Sequence, residues 1–206
     1  MKKMISFMVV VVCLWLSSPV LAGEAGEDAV ASPQVQFTIG HLFGENEDVK
    51  GFAFGIFMYN MANDYPIGLG YAGPMFTVGQ ANIYVLGALM IEPAGTSAGF
   101  SGWFEYKGLF LEYDHFESWM PASHDEGAVA PPTSYYGLID YGHSLKNDVT
   151  LGVAYEVVGF YEDDKPFEMA YGPYIQFKNF KIWMAYDETP NVPSYDYWLI
   201  RFKFGI

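Results

Sequence analysis

The sequence predicts an all-β fold: a single antiparallel up-and-down transmembrane β-barrel of about ten strands, with eight or twelve as alternatives. Three observations predict it. Side chains alternate with a period close to two from Gln34 to Ile206, four hairpins agree in register, and the composition is 51% hydrophobic and 18% aromatic with 17% charged. Soluble domains carry about 25% charged residues, so a chain this rich in Tyr and Phe needs an apolar environment for much of its surface.

The N-terminus reads as an export signal. Lys2 and Lys3 precede an apolar run from Met4 to Leu16, Ser17-Ser18-Pro19 breaks it, and Val20-Leu21-Ala22 suits cleavage after Ala22. The run is about 13 residues, short of the roughly 20 that a transmembrane helix needs. Residues 1–22 are therefore expected to be a signal peptide, residues 23–33 a flexible acidic lead-in, and residues 34–206 the barrel. Cys13 is the single cysteine and leaves with the signal, so no disulfide, thiol nucleophile or thiolate metal site is expected.

The formal charge of the whole chain is −14. Loss of two lysines takes the mature chain to about −16, which excludes nucleic-acid binding through phosphate contacts. It also argues against docking on anionic headgroups by charge alone.

Taken in order, the strands read as follows. Around Gly79-Gln80, Phe76, Val78, Ala81, Ile83 and Val85 share a side. Around Lys107-Gly108, the apolar side holds Phe104, Tyr106, Leu109, Leu111 and Tyr113, and the other side Trp103, Glu105, Phe110, Glu112 and Asp114. Around Lys146 to Asp148, Ile139, Tyr141, Val149, Leu151, Val153 and Tyr155 oppose Asp140, Gly142, Gly152, Ala154 and Glu156. Around Lys178-Asn179, Phe177 faces Phe180, Ile175 faces Ile182, Pro173 faces Met184 and Tyr171 faces Tyr186, while Gln176 pairs with Lys181 and Tyr174 with Trp183. In the last strand Trp198, Ile200, Phe202, Phe204 and Ile206 oppose Leu199, Arg201, Lys203 and Gly205. A one-residue slip would flip a strand's faces, so the agreement of the hairpins constrains the register.

The polar faces carry few charges and many Gly, Ala, Ser, Tyr and Trp residues, which suits a crowded interior. The apolar faces carry almost none, and a Lys or Arg placed there would cost about 2–4 kcal/mol at mid-bilayer. Tight turns are expected to alternate with longer connections near Glu92 to Ser97, Trp119 to Pro132, Glu162 to Pro166 and Glu188 to Ser194. Eleven strand-like segments are visible. Single-chain bacterial barrels use even numbers, so the segment from Gln34 to Phe43 is expected to stay outside the sheet, giving ten. A break at Gly73-Pro74 would give twelve.

The polar faces place Glu105, Glu112, Asp114, Asp140, Glu156, Glu168 and Asp187 in the lumen with Lys107, Lys178, Lys181, Arg201 and Lys203. Buried charges must be paired, so these are expected to form a salt-bridge and hydrogen-bond network. Weak catalytic candidates are Asp114, His115 and Ser118, an acid, a base and a hydroxyl in one segment, although alternation turns His115 away from the other two. His124, Asp125 and Glu126 read as solvated loop residues, and no metal or cofactor is expected. His143 is expected on the outward face.

The C-terminal strand, residues 197–206, resembles the recognition signal of bacterial outer-membrane barrels, with Ile206 in place of the usual terminal aromatic. Gly108-Leu109-Phe110 through Glu117-Ser118-Trp119, together with Tyr197-Trp198-Leu199-Ile200-Arg201-Phe202-Lys203-Phe204, faintly resembles the lipid A palmitoyltransferase family, with Glu117 where that family has Asp. No equivalent of its catalytic histidine stands in the first outer loop.

The expected function is a structural or narrow-channel role in the outer membrane of a Gram-negative bacterium, more a barrel than an enzyme. The expected partners are outer-membrane lipid and lipopolysaccharide, with the barrel assembly machinery engaging the last strand and the protein a monomer. The alternatives are a lipid A-modifying acyltransferase or deacylase, and a secreted lipocalin-like ligand carrier whose apolar face would line a cavity.

Overall fold

The structure is a computed structural model, and it describes residues 31–205 except 62–63, 122–131, 146–147, 162, 164–165 and 189–196. The signal peptide, its cleavage site and most of the lead-in lie outside the described residues, as do His124, Asp125 and Glu126.

Among the described residues there are eleven strands: β1 (Ala31–Phe43), β2 (Val49–Asn60), β3 (Tyr65–Val78), β4 (Ala81–Glu92), β5 (Gly95–Tyr106), β6 (Leu109–Pro121), β7 (Ser134–Ser144), β8 (Val149–Phe160), β9 (Glu168–Phe177), β10 (Phe180–Glu188) and β11 (Tyr197–Gly205). Each pairs antiparallel with the next, and β1 pairs with β11 to close the barrel.

The count of ten is therefore corrected to eleven. The segment from Gln34 to Phe43 lies within β1, inside the sheet, and β3 runs unbroken through Gly73-Pro74. An odd number of up-and-down strands leaves the first and last pointing the same way, so the closing pair is parallel, from Ala31 opposite Trp198 to Thr38 opposite Gly205. The antiparallel expectation fails at that seam alone. Phe37 stacks on Phe204 across it with ring centroids 5.4 Å apart, and Thr38 Oγ1 donates to the Phe204 carbonyl at 3.1 Å. β1 thus starts at the end of the barrel that carries the longer connections.

All four expected hairpin registers are present: Val78 faces Ala81, Tyr106 faces Leu109, Tyr141 faces Val153 and Phe177 faces Phe180. Lys107 and Gly108 both have positive φ, 47° and 85°, the twist that suits a two-residue hairpin. The connection expected to be long near Glu92 is a two-residue turn, because Gly95 takes a φ of 148° and lets β5 start at once. A register shift at Thr96/Ser97 absorbs the extra residue opposite, where Ser97 pairs with Ser118 and Thr96 with Met120.

Two of the prolines inside strands, Pro74 of β3 and Pro173 of β9, share one local arrangement. The β3–β4 ladder is interrupted at Gly73-Pro74 and the β9–β10 ladder at Gly172-Pro173. Proline has no N–H to offer the facing carbonyl. A Cβ on Gly73 would clash with the Val85 carbonyl, and one on Gly172 with the Met184 carbonyl, so the glycine lets the facing strand close in where the ladder is lost.

The apolar faces point outward all the way round. Phe37, Ile39, Phe57, Val78, Val85, Ile91, Phe100, Ile139, Leu151, Val153, Ile175, Met184 and Trp198 are all exposed. The alternate residues are buried inside, Leu86, Trp183, Ala185 and Leu199 among them.

Candidate functional site

An eleven-stranded barrel is wider than the eight-stranded kind that ordinary side chains just fill. This lumen is crossed by pairs that bridge three strands at a time. In the half built by β2 to β6 the bridge is aromatic. Trp103 of β5 meets Phe54 of β2 edge-on at 5.3 Å, Phe52 at 5.5 Å and Tyr71 of β3 at 5.1 Å. Met75, Tyr84, Leu86, Ala88 and Phe116 complete that cluster.

In the half built by β7 to β11 the bridges are ionic. Arg201 of β11 grips Glu156 of β8 with two parallel bonds, Nη1 to Oε2 at 2.5 Å and Nη2 to Oε1 at 2.8 Å. Arg201 Nε donates to Gln34 Oε1 at 2.8 Å, and the Tyr136 hydroxyl donates to Glu156 Oε2 at 2.8 Å. The guanidinium also lies over the Trp183 ring, 4.9 Å from its centre. Lys181 of β10 donates to Asp140 of β7, with its ammonium 3.5 Å from the centre of the Tyr174 ring. A planar fork suits such a buried pair, because both carboxylate oxygens are satisfied at once.

The remaining expected lumen carboxylates are also inside. Asp114 accepts from the Tyr71 hydroxyl at 2.7 Å and from Ser101. Glu105 accepts from Asn82 Nδ2 at 3.1 Å and from the Tyr84 hydroxyl at 2.9 Å. Glu168 and Asp187 lie beside each other at the long-loop end. Glu112 faces the charges of Lys203, Asp114 and Glu156. Lys107 and Lys178 are corrected, since neither points inward. Both sit in turns at positive φ and lean over the outward rings of Tyr106 and Phe177, and Lys178 reaches Asp148 at 3.7 Å.

The catalytic candidates are not brought together. Asp114 is buried in the lumen, His115 is on the outer face and Ser118 is exposed near the rim. His115 bonds instead to Glu117, two residues on, and to Tyr161, a partner that spacing did not suggest because it follows β8, two strands away. His143 is exposed opposite the outward Leu151. Among the described residues no group of His, Cys, Asp and Glu has the arrangement of a metal site.

No family model matches the chain, and no curated protein matches it. A solved structure from work on the mechanism of in-meso crystallization of membrane proteins resembles it with a TM-score of 0.50, at 11% identity over 76% of this chain and 76% of that one. At that identity the likeness is one of fold. The chain is an all-β, closed barrel whose fold is shared with a structure from membrane-protein work.

Proposed function

We propose that this chain is an outer-membrane β-barrel with a lumen filled by its own side chains, and that its role in the envelope is structural. The observation that carries the reading is the contrast between the two faces. Large apolar side chains are exposed around the outside, while charged side chains, the Arg201–Glu156 pair first among them, are buried within. Soluble barrels place these faces the other way, because contiguous exposed apolar surface draws proteins together in water. A lipocalin-like carrier would need an apolar cavity where this lumen holds ion pairs. Export through residues 1–22, cleavage after Ala22, assembly through the C-terminal strand and a monomeric state belong to the same reading.

The three-strand bridges favour a filled lumen over the narrow-channel form of the role. Gel mobility of the mature protein folded in detergent tests the barrel: a compact band before boiling that shifts on heating is expected. Solubility in plain buffer with no shift would overturn the membrane reading. Planar bilayers test the lumen, where no conductance steps are expected after verified insertion, and regular steps would restore the channel. Unchanged lipid A acylation with and without the gene is expected, and an altered pattern would revive the enzyme.

A further inference from the structure

Toward the long-loop end of the outer face, side chains from four adjacent strands converge: Phe100 of β5, Tyr113 and His115 of β6, Tyr135 of β7, and Tyr161 where the chain leaves β8. His115 stacks on Phe100 with centroids 5.0 Å apart and meets Tyr161 edge-on at 5.1 Å. Tyr135 meets Tyr161 at 5.4 Å. Gly159 makes room for this, because a Cβ there would strike the Tyr135 ring. The polar atoms form one chain. Tyr113 and Tyr161 hydroxyls are 2.5 Å apart, Tyr161 and His115 Nδ1 2.9 Å, and His115 Nε2 and Glu117 Oε1 3.3 Å.

The direction of that chain follows from its carboxylate end. Nε2 faces Glu117, so in neutral imidazole the proton belongs on Nε2 and Nδ1 is the acceptor. Tyr161 then donates to Nδ1, and Tyr113 donates to Tyr161. Both free ends are left as acceptors: the Tyr113 oxygen, and the carboxylate of Glu117, whose side chain is 74% exposed. Between them lie aromatic faces, with Phe100 and Tyr161 about half exposed and Trp119 exposed close by.

We propose that this cluster binds the sugar headgroup of a neutral glycolipid in the surrounding leaflet. The proposal rests on the membrane reading above. A sugar presents several hydroxyl donors at the edge of a ring whose C–H faces pack on aromatics. That matches acceptors at two ends and rings between them. A phosphate headgroup would be repelled by the exposed Glu117 carboxylate, with no Lys or Arg bonded to the cluster among the described residues to offset it. An ordinary aromatic girdle needs each hydroxyl to reach the headgroup layer singly. It does not call for two phenols, an imidazole and a carboxylate joined in one relay with Gly159 cleared beneath it.

The test is native mass spectrometry of the mature barrel released from phosphatidylcholine nanodiscs doped with equal amounts of lactosylceramide and phosphatidylglycerol. Wild type is expected to retain lactosylceramide in excess. Glu117→Gln and Tyr161→Phe should each lower that retention about tenfold, the loss of one bond to a charged group or of the relay's centre. Both variants should keep the heat-shifted band, which shows that the barrel folds. Equal retention of both lipids, or excess phosphatidylglycerol, overturns the proposal and leaves a plain girdle. Unchanged retention in both variants overturns it as well. Binding of free lactose without retention of the glycolipid overturns the lipid source. A wild type with no heat shift overturns the membrane reading itself and takes the proposal with it.

Discussion

The two halves of this barrel fill the same lumen by different chemistry. Between β2 and β6 the space is taken by rings and sulfur around Trp103, and between β7 and β11 by the Arg201–Glu156 and Lys181–Asp140 pairs with Tyr136 and Tyr174 beside them. Each half sends side chains across three strands, so the difference lies in cost rather than reach. Rings gain from leaving water and tolerate loose geometry. Ions must recover their desolvation through paired, aligned bonds, and losing one partner leaves the other stranded. The charged half should therefore be the more brittle.

The largest effect is expected for Arg201→Met. It strands Glu156 in the lumen and should cost about 3–5 kcal/mol, read as a lower urea midpoint for the compact unboiled band. Combining it with Glu156→Leu should recover most of that loss, since apolar replacement of a whole buried pair is often neutral. Failure of the double variant to recover would show that the pair is not the source of the brittleness.

Trp103→Ala should cost somewhat less, about 3 kcal/mol, because the surrounding rings can close in part on the cavity. The comparison fails if this loss exceeds that of Arg201→Met.

Gly73→Ala and Gly172→Ala should each cost about 1–3 kcal/mol, and by similar amounts, since each Cβ meets the facing carbonyl of the same kind of proline interruption. Urea titration of the two side by side would separate the halves if one tolerates the methyl. The smallest effect is expected for Lys178→Ala. Its ion pair with Asp148 is at the exposed tight-turn rim, so its removal should shift the midpoint by less than about 0.5 kcal/mol.

Much of the fold was legible before any coordinates. Alternation identified the strands, and the turn residues at Gly79-Gln80, Lys107-Gly108 and Lys178-Asn179 set three registers that the sheet keeps. The inward charges from Glu105 to Lys203 were legible too, because a period of two leaves no choice of side once the register is known. Lys107 and Lys178 were misread for the same reason. They belong to turns at positive φ, where alternation no longer says which way a side chain points. Tyr161 could not be found beside His115 from spacing, since that contact depends on which strands become neighbours.

By itself the sequence determined the all-β class, the two faces of nearly every strand and the side that carries charge, since these follow from local alternation and turn chemistry. Only the tertiary structure decided that β1 joins the sheet, that eleven strands close through a parallel seam, and that Arg201 meets Glu156 and Gln34. Closure is a property of the whole circumference. A segment such as Gln34–Phe43 has the same alternation in or out of the barrel, and only the fit of the last strand against the first, across 167 positions of sequence between Gln34 and Arg201, selects between them.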